Sequence, residues 1–407
     1  MIFRKPLTRG LVIMFIAALL TGCAAPVQTP AGPIPTPPAI PDTPPPPPPT
    51  PQPMATAEPT VQTQIFKFVR TVQVTSDPNS GAAMGYIHYV PATDRFVVML
   101  RLGQEGSIPL TYTSQTCTDT AYGYKEYTTD MEPTGKSGFI SCASHDGYSM
   151  IVENDMYFAS TLYDWMIPGG KPDDIGFRIE KFDAISWQRL AAVDIRLDQP
   201  AEANDGPTLS VINGNITVTG EYFVDGDPDN PLGRGSHHHF FTADLDPVGE
   251  KILEPPEYPA HCPEASMIQE PGGDILMFVA DSYHGDLMVY RLDKDWKFKE
   301  KNLLREKAFF PTGLATDGRL YYVAYTDTSN GVVYRNVGVA AYDADWNTLQ
   351  DEAITDFEIT DTTKEGWNPS LMLFENRMYV SYLITELDPA TGGWVGQAYV
   401  NIYELLP

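Results

Sequence analysis

Residues 310–346 read FPTGLATDGRLYYVAYTDTSNGVVYRNVGVAAYDADW, and this stretch decides the fold. A strand ends in a tight turn at residues 317–318, a second strand covers Leu320–Tyr325, and a third, Val337–Tyr342, ends in an acidic turn at residues 343–346. Residue types alternate along each strand, and the turns supply the Asp and Gly that hairpins need. The stretch is therefore predicted to form most of one antiparallel sheet.

The tight turn recurs along the chain. Aligned copies read TDRFVVMLR, ENDMYFAST, NGNITVTGE, GGDILMFVA, TDGRLYYVA and ENRMYVSYL, with third residues Arg95, Asp155, Asn215, Asp274, Gly318 and Arg377. A Pro or Gly with a nearby Ser or Thr precedes five of these turns, and an acidic hairpin ends the third strand in four copies: FDAISW (182–187), ADLDPV (243–248), RLDKDW (291–296) and YDADWN (342–347). Four-stranded repeats of this size must stack around an axis to bury both faces. The six copies predict an all-β fold, a six-bladed β-propeller of four-stranded antiparallel blades.

The two ends of the repeat region predict how the ring closes. The last repeat contains three strands, and the chain given stops where the fourth would start. The stretch Ile65–Val74, IFKFVRTVQV, precedes the first repeat and alternates like a strand. We predict that it is the outer strand of the last blade, which removes an exposed sheet edge. The propeller domain is then predicted to span residues 65–407.

The first residues carry a targeting pattern. A basic head is followed by an apolar run, Leu11–Leu20, that is too short to span a bilayer, and then by residues 20–23, Leu-Thr-Gly-Cys. This pattern resembles a bacterial lipoprotein signal peptide (residues 1–22) with its lipobox, which implies cleavage before Cys23 and a diacylglycerol on its sulfur. The alternative is an ordinary secretory signal. Both place the chain outside the cytoplasm, and the first makes the membrane a partner through the lipid anchor.

Residues 23–64 are predicted to be a spacer. Sixteen of the residues from 24 to 64 are Pro, and only Asp42 and Glu58 are charged. Such a segment has little to bury and few amide donors, so it favours an extended polyproline conformation. The spacer is therefore predicted to act as a stalk between the membrane and the propeller.

Charge and cysteine usage limit the partners. The net charge of −26 excludes nucleic acid, because phosphate binding requires a basic surface. We expect a monomer. Cys117 and Cys142 lie in the first repeat and are predicted to form a disulfide worth roughly 3 kcal/mol in the entropic model, which leaves Cys262 as a free thiol.

One face of the propeller is predicted to hold the site. The second-to-third and inter-blade connections share a face, and they are longer and more dissimilar than the others, as binding loops are. Aromatic, imidazole and amide groups there suit sugars. The candidate ligand-binding residues are His145, Trp165, His261, Tyr283, Phe310, Trp367, Asn368 and Trp394. The leading prediction is a surface-tethered propeller that binds an extracellular glycan or protein.

The alternative is a glycan-active hydrolase. Glycoside hydrolysis uses two carboxylates, and Asp146, Asp205 and Glu264 come from three successive inter-blade segments. The acidic hairpins weakly resemble the Asp-box turns of sialidase-like propellers: Asp345 and Trp346 supply the acid and the indole, but the Gly of that motif is missing. The resemblance implies a hydrolase of the sialidase-like kind, although no arginine triad can be assigned. A third possibility, favoured only by the long spacer, is a structural component of the cell envelope.

Two metal sites are candidates. Asp225, Asp227 and Asp229 alternate along a loop as calcium ligands do, although the Gly at the sixth position is missing, and a solvated acidic loop is the alternative. His237 and His239 would share one face of a strand and could bind a transition metal with His261 or Cys262. Calcium is therefore the possible cofactor that the sequence indicates.

Replacing Cys23 with Ser should abolish lipidation and release the protein from membranes, because the predicted diacylglycerol is attached to the Cys23 sulfur as a thioether and Ser has no sulfur. Metabolic labelling with a radioactive fatty acid checks this outcome. Label retained on the Cys23→Ser protein would contradict the lipoprotein prediction.

Overall fold

The computed structural model of the chain describes residues 64–75, 82–142, 147–163, 175–196, 207–223, 234–253, 261–280, 285–327, 336–358, 361–390 and 392–407. All of them belong to one of the two units into which the chain divides, Val61–Pro407. The predicted signal peptide, Cys23 and all but the last residue of the predicted spacer lie outside the described residues. No helix in the described part of the chain is long and apolar enough to cross a membrane.

Six four-stranded antiparallel sheets make up the fold, as the repeats predicted. The first blade contains β2 (Ala82–Val90), β3 (Arg95–Pro109), β4 (Thr116–Tyr127) and β5 (Pro133–Cys142), with a 3-10 turn at Pro91–Thr93; the second contains β6 (Gly147–Val152), β7 (Asp155–Tyr163), β8 (Ile175–Asp183) and β9 (Arg189–Arg196); the third contains β10 (Thr208–Ile212), β11 (Asn215–Phe223), β12 (Arg234–Phe241) and β13 (Pro247–Leu253).

The remaining blades follow the same order. The fourth contains β14 (His261–Gln269), β15 (Ile275–Ala280), β16 (Leu287–Leu292) and β17 (Phe298–Arg305); the fifth contains β18 (Ala308–Thr316), β19 (Tyr321–Asp327), β20 (Asn336–Tyr342) and β21 (Thr348–Ala353); the sixth contains β22 (Lys364–Phe374), β23 (Arg377–Leu387), β24 (Trp394–Leu405) and β1 (Phe66–Gln73). The first strands, β2, β6, β10, β14, β18 and β22, each adjoin the next around a closed ring. The axis of the propeller therefore runs between the first strands.

The ring closes through β1, which confirms the predicted exchange of the fourth strand. β1 pairs antiparallel with β24 from Phe66 opposite Leu405 to Gln73 opposite Tyr399. The Phe66 ring is fully buried and meets Tyr403 edge-on at 5.4 Å. The amides of Ile65 and Phe66 both donate to the side-chain oxygen of Gln350, at 2.7 and 3.0 Å. The strand thus completes the sixth blade and also contacts the fifth.

The third-to-fourth hairpins seal the seams between blades. In five blades the same turn position has a left-handed backbone, with φ from 57 to 66°, although it is occupied by a large apolar residue. These residues are at most 9% exposed, and they are Met131, Trp187, Leu245, Trp296 and Trp346. The Trp187 ring stacks on Tyr124 of the preceding blade at 3.8 Å, and its indole N–H donates to Glu126 at 3.0 Å. The Trp187 hairpin of the second blade therefore covers part of the apolar face of the first blade.

In three of these hairpins an acidic residue holds the turn: Asp183, Asp293 or Asp343. The Asp293 carboxylate accepts the amides of Asp295 and Lys297 at 2.8 and 2.9 Å, and Asp343 accepts those of Asp345 and Asn347 at 2.9 Å. The backbone amide of Lys297 lowers the pKa of the Asp293 carboxyl, and the side-chain and backbone amides of Asn347 lower that of Asp343. The recurring Asp and Trp of the sequence thus have a structural role on the face opposite the predicted site.

The first strands of the last three blades begin earlier than the sequence indicated. We expected His261, Glu264, Phe310, Trp367 and Asn368 in inter-blade segments, but they lie within β14, β18 and β22. The pairing of each of these strands with its neighbour shifts register across a proline: Pro263, Pro311 and Pro369. Proline has no N–H to donate to the ladder, so the strand continues through a bulge instead of ending. Such bulges can redirect side chains near the axis.

Deleting Ile65–Val74 should lower the melting temperature far more than deleting Gln28–Pro53, because β1 supplies a hydrogen-bonded ladder and the buried side chain of Phe66. Loss of the Phe66 side chain alone should cost about 3–5 kcal/mol of unfolding free energy. Thermal denaturation followed by circular dichroism compares the two deletions. Equal melting temperatures would mean that β1 does not close the ring.

Candidate functional site

A cavity of about 200 Å³ lies where the first strands meet. Five of the six first strands contribute to its wall: β2, β6, β10, β14 and β22. The described residues that line it are Tyr86, Ile87, His88, Tyr148, Ser149, Met150, Ile151, Thr208, Leu209, Ser266, Ser370, Leu371 and Met372. This cavity is the candidate functional site, and we call it the axial cavity.

Hydroxyl groups from four blades face the axial cavity: Ser149, Thr208, Ser266 and Ser370. In four of the five copies that carry the pattern, they are the Ser or Thr that follows a Pro or Gly before the tight turn. These recurring small polar residues mark the repeat in the sequence, and in the structure they lie where the first strands surround the axis. In the fifth blade Gly313 takes the corresponding place, and a Cβ there would lie 3.0 Å from the backbone nitrogen of Leu371 in the sixth blade. Small residues therefore recur because the first strands approach closely.

His88 is the one titratable side chain among the described residues that line the axial cavity, apart from its tyrosines. Its Nε2 lies 2.8 Å from the Ser149 hydroxyl oxygen, across the seam between the first and second blades. Burial lowers the pKa of His88 from 6.5 to about 4. The imidazole is therefore neutral at physiological pH and can donate one hydrogen bond and accept another.

Asn368 occupies an unusual position near the axis. It lies within the bulge of β22, two residues before Ser370, and it has a left-handed backbone with φ 50°. Its side chain is 3% exposed, and among the described residues neither its amide nitrogen nor its amide oxygen has a hydrogen-bond partner. An unpaired buried amide costs about 1–3 kcal/mol, so the Asn368 side chain is a candidate for hydrogen bonding to a ligand.

The candidate catalytic carboxylates fall largely outside the described residues. Asp146 and Asp205 are outside them, and Glu264 is described only as a position in β14. Each nevertheless lies within three residues of a residue that lines the axial cavity: Ser149, Thr208 or Ser266.

The predicted ligand-binding residues divide into three groups. His145, Trp165 and Tyr283 lie outside the described residues, and His261 and Phe310 are described only as strand positions. Trp367 is half-buried and packs against the core between the sixth and first blades. Trp394 is half-buried at the start of β24, opposite Leu387. The structure therefore gives Trp367 a packing role.

The predicted calcium ligands, Asp225, Asp227 and Asp229, lie outside the described residues. Cys117 and Cys142 form the predicted disulfide, with their Cα atoms 5.2 Å apart. Cys262 is a strand position in β14, and its side chain is not described.

Comparison with known proteins gives similarity of fold. The chain resembles an exo-β-1,3-galactanase from Clostridium thermocellum, with a TM-score of 0.43 and 14% identity over 63% of this chain and 58% of that one. It resembles the arabinanase of Bacillus subtilis with a TM-score of 0.39 and 12% identity, over 64% of this chain and 94% of that one. A mutant sialidase of Trypanosoma rangeli gives a TM-score of 0.47 and 10% identity, over 81% of this chain and 58% of that one. No protein-family profile and no curated protein matches the sequence.

These similarities correct the leading functional prediction. The solved structures named above are those of glycoside hydrolases and a sialidase, the class that the alternative prediction named, whereas the leading prediction was a propeller that only binds. At this level of similarity no residue or substrate is transferred to this chain. The case for an activity must come from the axial cavity itself.

The His88 ring should stay neutral from pH 8 down to about 4, because burial disfavours the imidazolium. Nitrogen-detected NMR of the imidazoles, assigned with a His88→Gln variant, measures this titration. Since the unfolded pKa is 6.5 and the folded value about 4, the stability that His88 contributes should be complete above pH 6.5 and lost as the pH falls towards 4. A His88 pKa at or above 6.5 would show that the ring is solvated.

Proposed function

We propose that the protein is a glycan-active hydrolase whose active site is at the axial cavity. The observation that carries this proposal is that three acidic residues lie only two or three residues along the chain from residues that line the axial cavity. Asp146 and Asp205 precede Ser149 and Thr208 by three residues each, and Glu264 precedes Ser266 by two. Three residues of extended chain reach about 10 Å. In this proposal the three carboxylates act on one bound sugar.

The reaction class follows from the need for two carboxylates. Retaining glycosidases hold the pair about 5–5.5 Å apart and inverting enzymes about 6.5–9.5 Å apart. In either case one carboxyl donates a proton to the leaving oxygen, and the other acts as a nucleophile or activates a water. None of the described residues that line the axial cavity is acidic, so in this proposal Asp146, Asp205 and Glu264 supply both groups.

The wall of the axial cavity would bind the sugar. Hydroxyls from four blades and neutral His88 offer donors and acceptors without charge. With a pKa of about 4, the His88 imidazole is almost never protonated near pH 7, so it is not the proton donor. The same low pKa makes it too weak a base to activate a water. In this proposal it positions the substrate together with Ser149.

The substrate class that fits is a neutral glycan. The described lining residues include no Lys or Arg, and the chain has a net charge of −26, so an anionic sugar would be repelled. The cavity of about 200 Å³ is smaller than the 300–1,000 Å³ of pockets that hold drug-sized ligands. We therefore propose that it holds one sugar residue at the end of a chain.

We also propose that the enzyme acts outside the cytoplasm, held to a membrane by the lipid on Cys23. Support comes from the lipobox in residues 20–23 and from the disulfide between Cys117 and Cys142, since disulfides persist in oxidising compartments. The Pro-rich spacer would give the active site reach towards insoluble glycans.

A panel of chromogenic glycosides of neutral sugars should reveal turnover by the purified protein. At least one of the variants Asp146→Asn, Asp205→Asn and Glu264→Gln should lower kcat at least about 1,000-fold while leaving the melting temperature unchanged, because the amide can neither donate the proton nor attack. Initial rates measured by released chromophore check this outcome.

The matched control is Asp345→Asn, an exposed acid in a hairpin on the opposite face, which should keep full activity. The proposal would be overturned by the absence of turnover on every glycoside, or by turnover that survives in all three variants.

A further inference from the structure

The third blade contains a cluster of metal-ligand side chains that the axial cavity does not use. His237 and His239 of β12 and Glu250 of β13 each present a ligand atom, and these atoms all lie within 4.8 Å of one another. No other group of three His, Cys, Asp or Glu side chains of this kind occurs among the described residues. We propose that His237, His239 and Glu250 form a binding site for a divalent transition metal of the zinc class.

The strand geometry explains why these three residues meet. Alternate residues of a strand share a face, so His237 and His239 point the same way and His238 points the opposite way. β12 and β13 are antiparallel, with His239 directly opposite Glu250. The backbone therefore sets the cluster before any metal binds.

The distances suit a metal ion. His237 Nε2 lies 3.2 Å from Glu250 Oε2, and His239 Nδ1 lies 3.8 Å from the same oxygen. Metal–ligand bonds of about 2.0–2.2 Å place the ligands of a tetrahedral zinc about 3.3–3.6 Å apart. The imidazole rings are 3.9 Å apart between centroids, so small side-chain rotations would converge the three atoms.

The intervening histidine has a separate, structural role. His238 is fully buried, with its ring nitrogens 2.8 Å from the Thr219 hydroxyl and 2.9 Å from the Ser236 hydroxyl. Its ring packs 4.6 Å from Trp296 of the fourth blade. Both ring nitrogens of His238 therefore make hydrogen bonds within the blade, and His238 is not one of the proposed metal ligands. The three consecutive histidines therefore divide by face: His238 packs in the core, and His237 and His239 are the proposed metal ligands.

The ligand set leaves a coordination position open. Two imidazoles and one carboxylate form the His₂Glu set found in several catalytic zinc sites, where water or a substrate takes the fourth position. The side chains of His237 and His239 are only 10% and 11% exposed, whereas that of Glu250 is 65% exposed. The open position would therefore face solvent. β12 lies two strands outside β10, about 10 Å further from the axis, so this site is distinct from the axial cavity.

The metal would also join the outer strand to the blade. β13 is exposed along most of its length, and Glu250 is one of its exposed residues, opposite the buried His239 of β12. A metal that binds the folded state and not the unfolded chain stabilises the fold by mass action. Zinc should therefore raise the melting temperature as well as bind.

Isothermal titration calorimetry with ZnCl₂ tests the site on the purified full chain, expressed without a polyhistidine tag. We expect one zinc per chain. His237→Asn, His239→Asn and Glu250→Gln should each weaken binding by more than about 100-fold, since loss of even an outer-shell partner costs about 10–100-fold. Cobalt substitution should give the visible absorption of a tetrahedral centre in the parent chain and not in the variants.

The matched control is Glu300→Gln. Glu300 lies on the outer strand of the fourth blade, opposite Arg291, as Glu250 lies opposite His239. This variant should bind zinc like the parent. Melting temperatures measured in a chelator identify any of the three ligand variants that fails to fold. Zinc binding by the variants that do fold then tests the proposal. No saturable binding at millimolar zinc, or saturable binding unchanged in every folded variant, would overturn the proposal.

Discussion

Each blade of this protein has an apolar face that only the next blade can cover. The clearest sign is the hairpin residue that accepts a left-handed backbone to reach the neighbouring sheet, as Trp187 does when it stacks on Tyr124. A non-glycine residue in that region carries a local cost, and burial of a large side chain offsets it. Because every blade depends on a neighbour in this way, an open row would leave two faces uncovered. Closure of the ring by β1 follows from that requirement.

Closure also determines what the axis contains. Six first strands that adjoin around a ring leave little room between them, so Ser, Thr and Gly occupy the positions of closest approach. Proline bulges in the later blades then interrupt the ladder and leave groups such as Asn368 buried without a partner in the described structure. The same constraint that favours a compact ring thus produces a polar cavity. A site at the axis is a consequence of the packing, and loops need only complete it.

The repeat made the architecture predictable from sequence. Turn residues and alternation fixed the six sheets, and the unpaired stretch Ile65–Val74 fixed the closing strand, because local patterns determine local strands. The sequence does not predict His88 as a site residue because its partner Ser149 is 61 residues away and the first blade lacks the Pro-Ser signature. It does not predict Glu250 as a metal ligand because the position of Glu250 opposite His239 depends on the register between β12 and β13. Met131 fills the seam position without a Trp to mark it. Such contacts depend on distances between segments, which a single sequence does not give.

The charge of the protein bears directly on the proposed chemistry. A glycosidase needs one carboxyl that remains protonated near neutral pH, and a like charge nearby or removal from water raises a carboxyl pKa. A chain with net charge −26 provides an overall negative potential, and the uncharged wall of the axial cavity offers no Lys or Arg among its described residues to offset it. In the proposed mechanism two carboxylates act on one sugar, and two neighbouring carboxylates do not both ionise readily, so one keeps its proton. The acidity of the surface, which excludes nucleic acid as a partner, would thus favour the acid catalyst that hydrolysis of a neutral glycan requires.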